Sequence, residues 1–295
     1  MSEQPMMSTA EELRQAALAK VRTGALEEAL DLYDEARLQA ADEETRELIT
    51  INKADALIAL DRTGPEVTAL PAILMRRRTP RNAFLAAYAL LFKHRSSGET
   101  KRAMFYGQIA HEIAVETNQV FWKIATLNEL GVAYEIDSQF EQAVECFEDA
   151  IATIAELDDP TEHELSYGLA LENLGAAKLQ MRRTPEGIEC IRKAMPSLQS
   201  NAAIAEAHID LCYGYIDLED YKAARRHGET GLEMSTDARQ TRNAHYLLGE
   251  ACYKAGDIEA AEHHFDELAR FYPQFRNLKS LLFGIDLRSM LNLKS

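Results

Sequence analysis

The residues best able to do chemistry are scattered in this sequence of 295 residues. His263 and His264 are adjacent, and His208 and His245 lie upstream, but no HExxH and no Cys/His ligand spacing accompanies them. That points to packed or surface histidines and to no metal. The cysteines Cys146, Cys190, Cys212 and Cys252 include no CxxC pair, the pattern of reduced, mostly packed thiols in a cytosolic chain. Asp158 and Asp159 precede Pro160 and read as loop acids. There is no P-loop, no GxGxxG after a strand and no GxSxG elbow. Neither an enzyme nor a cofactor site is expected. What remains is recognition chemistry, in which amides and carboxylates on helices hold another chain.

Bulk properties narrow the partner. The formal charge of −16 argues against nucleic acid, which needs a basic footprint, and against an anionic membrane surface. A basic protein or peptide suits it better. The opening "MSEQPMMSTAEEL" has no basic stretch followed by an apolar one, so it is not a signal peptide. No uncharged apolar run reaches transmembrane length, and a cytoplasmic protein is expected. Residues 1–8 are expected to be disordered. Residues 76–102 hold eight Lys or Arg against the single acid Glu99. They form either a solvated connection or a docking patch for an acidic partner.

The positioning elements are legible in the pattern L-G-x-x-Y, nine residues on to A, then x-x-x-F-x-x-A. Leu130, Gly131, Tyr134, Ala143, Phe147 and Ala150 fit it, as do Leu248, Gly249, Ala261 and Phe265, followed by Pro273. Partial copies include Leu174, Gly175, Gly187, Ile191 and Ala194, and Leu211, Tyr215, Ala224 and Gly228. Upstream, Ala17, Ala29, Tyr33 and Ala36 fit, with weaker copies at Ala54 and Ile58 and at Leu90 and Leu91. Gly24, Gly98 and Gly256 share one turn position. Ser138–Glu141 and Thr161–Glu164 read as capping boxes, and Thr79-Pro80 and Thr184-Pro185 as helix starts. No segment shows sustained β alternation.

The pattern resembles the tetratricopeptide repeat family, with copies starting near residues 10, 48, 84, 124, 168, 205 and 242. The copies are longer than the family's roughly 34 residues. The resemblance implies an all-α, right-handed α-solenoid of stacked antiparallel helix pairs over residues 9–273. Residues 274–295 would form a C-terminal capping helix. Its stripe of Leu278, Leu281, Leu282 and Ile285 would close the last repeat. A second edge of Phe283, Leu287, Met290 and Leu291 would pack on that repeat as well, or meet a partner or a second copy of the chain in a homo-oligomer.

The family lines its concave wall with the first helix of each pair, which carries over copy by copy to Asn52, Lys53, Asn128, Glu129, Glu172, Asn173, Asp210, Asn243 and Tyr246, with Glu135 and Glu206 beside them. Amides there can serve the backbone of an extended peptide, and the carboxylates would favour Lys or Arg in it. The Lys/Asn/Asn/Lys/Arg clamp for a ligand's terminal carboxylate is missing, since Leu85 and Ala89 stand where its next cations belong. The resemblance thus implies an interaction scaffold with a peptide or partner protein in an open groove. The alternative it leaves is a cytoplasmic regulator gated by a signal peptide. Such regulators carry an N-terminal effector domain, whereas about eight residues precede the first copy here.

Overall fold

The computed structural model describes residues 9–275, 277–284 and 292–294, and these contain no strand. Helices alternate as first and second partners: α1 (Thr9–Arg22) with α2 (Leu26–Gln39), α3 (Glu43–Ala59) with α4 (Pro65–Arg76), α5 (Pro80–Ser96) with α6 (Thr100–Glu116), α7 (Val120–Ile136) with α8 (Phe140–Ala155), α9 (Glu164–Gln180) with α10 (Thr184–Ala194), α11 (Asn201–Asp217) with α12 (Tyr221–Met234), and α13 (Ala238–Lys254) with α14 (Ile258–Arg270). The short α15 (Leu278–Gly284) follows. The chain forms two compact units, Met1–Leu130 and Gly131–Ser295. In the first, α3 packs on α1 and α5; in the second, α11 packs on α9 and α13. First helices therefore stack on first helices within each unit.

The extra length of the repeats sits partly at the front of the first helices. From α3 onward each has 17 residues. α13 begins at Ala238, a turn before the copy expected from residue 242. That added turn carries Arg239 and Gln240.

Why a helix interior accepts Gly131 is now a matter of distance. A Cβ placed there would sit 2.5 Å from Phe147 Cε1. Phe147 is fully buried between Ala143, Leu174 and Ala177. At Gly175 the same Cβ would meet Ile191 Cγ1 at 2.5 Å and the Gly187 carbonyl at 2.8 Å. The missing side chain lets the second helix seat its large residue against bare backbone, and its burial offsets the roughly 1 kcal/mol propensity loss.

One turn joins the partners in all seven pairs. Gly24, Asp61, Gly98, Ser138, Arg182, Glu219 and Gly256 occupy equivalent places, all left-handed with φ between 53° and 84°. The next residue donates its N–H to a carbonyl five residues back, as Gln139 does to Tyr134 at 2.8 Å and Asp257 to Cys252 at 2.9 Å. This closes the orphan carbonyls at the helix end. Ser138 therefore does not open a capping box; it is the left-handed residue of the turn. The expected box at Thr161 is replaced by Asp159, which accepts from the Thr161 N–H at 3.0 Å. Thr184 is not a cap either, because its hydroxyl donates to Asp217. Thr79 does cap, accepting from the Asn82 N–H at 3.2 Å.

α15 covers the end of the last pair. Its Leu282 is buried, and Phe283 meets Phe265 edge-on at 5.1 Å. Ile285, Leu287, Met290, Leu291 and residues 1–8 lie outside the described residues. Residues 292–294 are not helical.

Two substitutions test this packing. Gly131→Ala should lower stability by about 1–2 kcal/mol in chemical denaturation, because the clash with Phe147 exceeds the helix-propensity gain. Glu219→Gly should raise it by about 0.5–1 kcal/mol, because an exposed side chain is relieved of a left-handed φ.

Candidate functional site

In the unit Gly131–Ser295, the first helices present carboxyls along one wall. α9 contributes Glu172, and α11 contributes Glu206 and Asp210, one turn apart and so on one face. α13 contributes Arg239, Gln240 and Asn243. Glu172, Glu206, Asp210, Gln240 and Asn243 are all buried, as is Glu135 near the end of α7.

This wall holds the chain's own residues 292–294. Lys294 Nζ lies 2.8 Å from Glu172 Oε1, 3.2 Å from Glu206 Oε1 and 3.3 Å from Asp210 Oδ2. The Leu293 carbonyl accepts from Arg239 Nη1 at 2.8 Å and from Asn243 Nδ2 at 3.1 Å. The Leu293 side chain is fully buried in the same apolar cluster as Tyr213 and Leu247. Asn292 Nδ2 donates to the Glu135 carbonyl at 2.8 Å, and Asn292 Oδ1 accepts from the Lys294 N–H at 3.0 Å, which turns the segment inward. Arg239 also grips Glu206 with two bonds of 2.9 and 2.7 Å, and Gln240 Nε2 donates to Glu206 at 3.0 Å.

Burial sets the protonation of the cage. It pushes Glu135 up to about 8. It likewise holds Asp210 well above the usual carboxylate range, against the pull of Lys294. Burial also acts on Glu206, but Lys294 and Arg239 overcome it and hold that carboxyl below the usual range. For Lys294, burial favours the neutral amine, and Asp210, Glu172, Glu206 and Glu135 outweigh it, so the ammonium persists. Lys294 and Arg239 supply the positive charges that the buried carboxyls around them require. A buried charge survives only when paired and hydrogen-bonded.

The expected residues thus divide. Glu172, Asp210 and Asn243 meet around one lysine and one carbonyl. Asn173 follows Glu172 on α9 and is half-buried. Tyr246 is buried beside a cavity of about 230 Å³ that Tyr253, Phe265, Leu282 and Phe283 also line. Asn52, Lys53, Asn128 and Glu129 belong to the other unit. There Asn52 accepts from Arg14 at 3.0 Å, Lys53 lies 3.2 Å from Glu66, and Glu129 pairs with Arg95 at 3.0 Å. Asn128 is half-buried. Part of the basic stretch is spent inside its unit, since Arg76 and Arg78 lie 3.5 and 3.6 Å from the buried Glu47. The open wall expected from the sequence is, in the second unit, partly filled by residues 292–294. Sequence reasoning missed Arg239 and Gln240, which stand on the added turn; Arg239 lies one helical turn before Asn243, so that spacing was the available signal.

Four histidines form two hydrogen-bonded pairs, His208 Nδ1 with His227 Nδ1 at 2.9 Å and His245 Nδ1 with His264 Nδ1 at 3.2 Å. Burial first, then the partner ring, holds His227 and His264 down at about 4, as neutral packing pairs. Among the described residues no group of three His, Cys, Asp or Glu is placed to hold a metal. The thiols of Cys146, Cys190, Cys212 and Cys252 are all pushed up by burial. No helix among the described residues is long and apolar enough to cross a membrane.

Paired helices with a small residue at each close crossing, and a polar wall on the first helices, define a tetratricopeptide-repeat fold. No protein-family model and no curated protein matches the sequence. Solved structures do. NprR in complex with its cognate peptide NprX gives a TM-score of 0.67 at 12% identity over 96% of this chain and 83% of that one. A Rap protein complexed with Competence and Sporulation Factor gives 0.66 at 15% identity over 95% and 79%. The signal-transduction ATPase PH0952 from Pyrococcus horikoshii, with its tetratricopeptide repeat sensor, gives 0.69 at 15% identity over 92% of this chain and 44% of that one.

The raised Glu135 gives stability a signed pH dependence. From about pH 5 to 8 the folded chain keeps a proton that the unfolded chain loses above its ordinary 4.5. Unfolding free energy should therefore fall as pH rises through that window. Glu135→Gln, which mimics the protonated acid, should make the decline shallower in denaturant titrations at pH 5.5, 7 and 8.5.

Proposed function

We propose that this protein is a non-enzymatic interaction scaffold whose second unit holds an extended, basic peptide segment, free or part of a partner protein, against the wall formed by α9, α11 and α13. The observation that carries this reading is the grip on residues 292–294. A carbonyl is taken by Asn243 and Arg239, and an ammonium by Glu172, Glu206 and Asp210. These are the two things an extended basic peptide offers at every lysine: an unpaired backbone acceptor and a cation. Asn173 and Tyr246 extend the same wall. The fold likeness to NprR and to Rap, both solved with bound factors, supports the reading. A cytoplasmic setting suits the reduced, packed cysteines.

The same likeness favours a second reading, a regulator whose state is set by a signal peptide in this groove. It differs from the first in requiring a change of shape on binding. Small-angle scattering with and without a bound peptide separates them: compaction supports the regulator, and an unchanged profile the passive scaffold.

Affinity capture from the native host with mass spectrometry tests the groove. Partners held by the wild type should be lost from Glu206→Gln and from Asn173→Ala, each verified as folded by circular dichroism. Identical captured sets for all three would overturn this reading.

A further inference from the structure

The residues that would hold an external peptide are already in use. Apart from the Lys294 to Asn292 bond within the segment, residues 292–294 are held by distant parts of the chain. Lys294 reaches α9 and α11, Leu293 is held by α13, and Asn292 by the end of α7. The site is enclosed: the Lys294 side chain is 7% exposed and Asp210 fully buried. If the segment left, Glu172 and Asp210 would lose the ammonium beside them, and Arg239 would remain on Glu206. Such a cage selects a lysine ammonium, and the pocket that buries Leu293 selects an apolar residue just before it.

We propose that residues 292–294 are a resident pseudo-ligand, and that the external ligand is a basic peptide carrying an apolar residue followed by lysine, which binds by displacing them. This rests on the groove reading above and adds to it the ligand's chemistry and an intramolecular competitor. A tethered competitor acts at an effective concentration in the millimolar range. The apparent affinity for an external peptide is reduced by the fraction of molecules whose cage is open. Binding would therefore be weak in the resting chain and strong when the segment is disabled.

A fluorescein-labelled nonapeptide of residues 287–295 serves as probe, with fluorescence anisotropy as readout. Full-length Lys294→Ala should bind it at least about tenfold more tightly than the wild type, a difference of about 1.4 kcal/mol. Adding Glu206→Gln to Lys294→Ala, or replacing the probe's lysine by methionine, should abolish that gain. Equal affinity of wild type and Lys294→Ala would overturn the competitor and leave the groove reading standing. Tight binding indifferent to both Glu206→Gln and the probe's lysine would place the peptide elsewhere and overturn both. Failure of the Lys294→Ala chain to bind the probe would overturn the lysine cage.

A second measurement needs no variant. Under limited acetylation of the wild type, Lys294 should react far more slowly than the exposed Lys193, and adding excess unlabelled nonapeptide should speed it. Equal rates for the two lysines would overturn the resident segment, whatever the folding of the variants.

Discussion

Close approach of helices is the constraint on which everything else in this chain depends. Where Phe147 lies against Gly131 and Ile191 against Gly175, one added carbon would overlap its neighbour. That proximity draws each first helix into register with its partner and, through shared apolar residues such as Leu174 and Ala177, with the next pair. Each pair alone has one unburied apolar side, so stability comes from stacking. The stacking is also what aligns Glu172, Glu206, Asp210 and Asn243, which come from three different repeats.

The wall so formed carries an electrostatic problem that the chain itself answers. Four carboxyls buried together are unfavourable unless protonated or paired. Burial pushes Glu135 and Asp210 up, while Lys294 and Arg239 supply the counter-charges. The negative formal charge of the protein is thus not merely a solvated surface. Some of it is gathered where water is excluded and a cation must stand in for it. A groove of this kind discriminates by charge more than by shape, since neutral side chains would leave the carboxylates uncompensated.

The other unit spends its polar residues differently. Arg14 and Asn52, Lys53 and Glu66, and Arg95 and Glu129 close on one another, and the buried Glu47 draws on Arg76 and Arg78. Polar residues at matching repeat positions therefore need not share a role. Whether an amide or a cation faces a ligand depends on what the neighbouring repeats place opposite it.

Short-range regularities explain what was legible in advance. The spacing of Leu130, Gly131, Tyr134, Ala143 and Phe147, repeated down the chain, determined an all-helical, tetratricopeptide-type stack, because helix pairing and close crossing depend on residues within one repeat. The positions of Glu172 and Asp210 on first helices were legible for the same reason. The local caps were less so: Ser138 has the composition of a capping residue, yet the tight turn shared by all seven pairs holds it left-handed. Only the tertiary structure decided that Arg239 joins the site and that Lys294 fills it. Those contacts bridge residues far apart in sequence, and no periodic pattern encodes which distant cation will settle a buried negative charge.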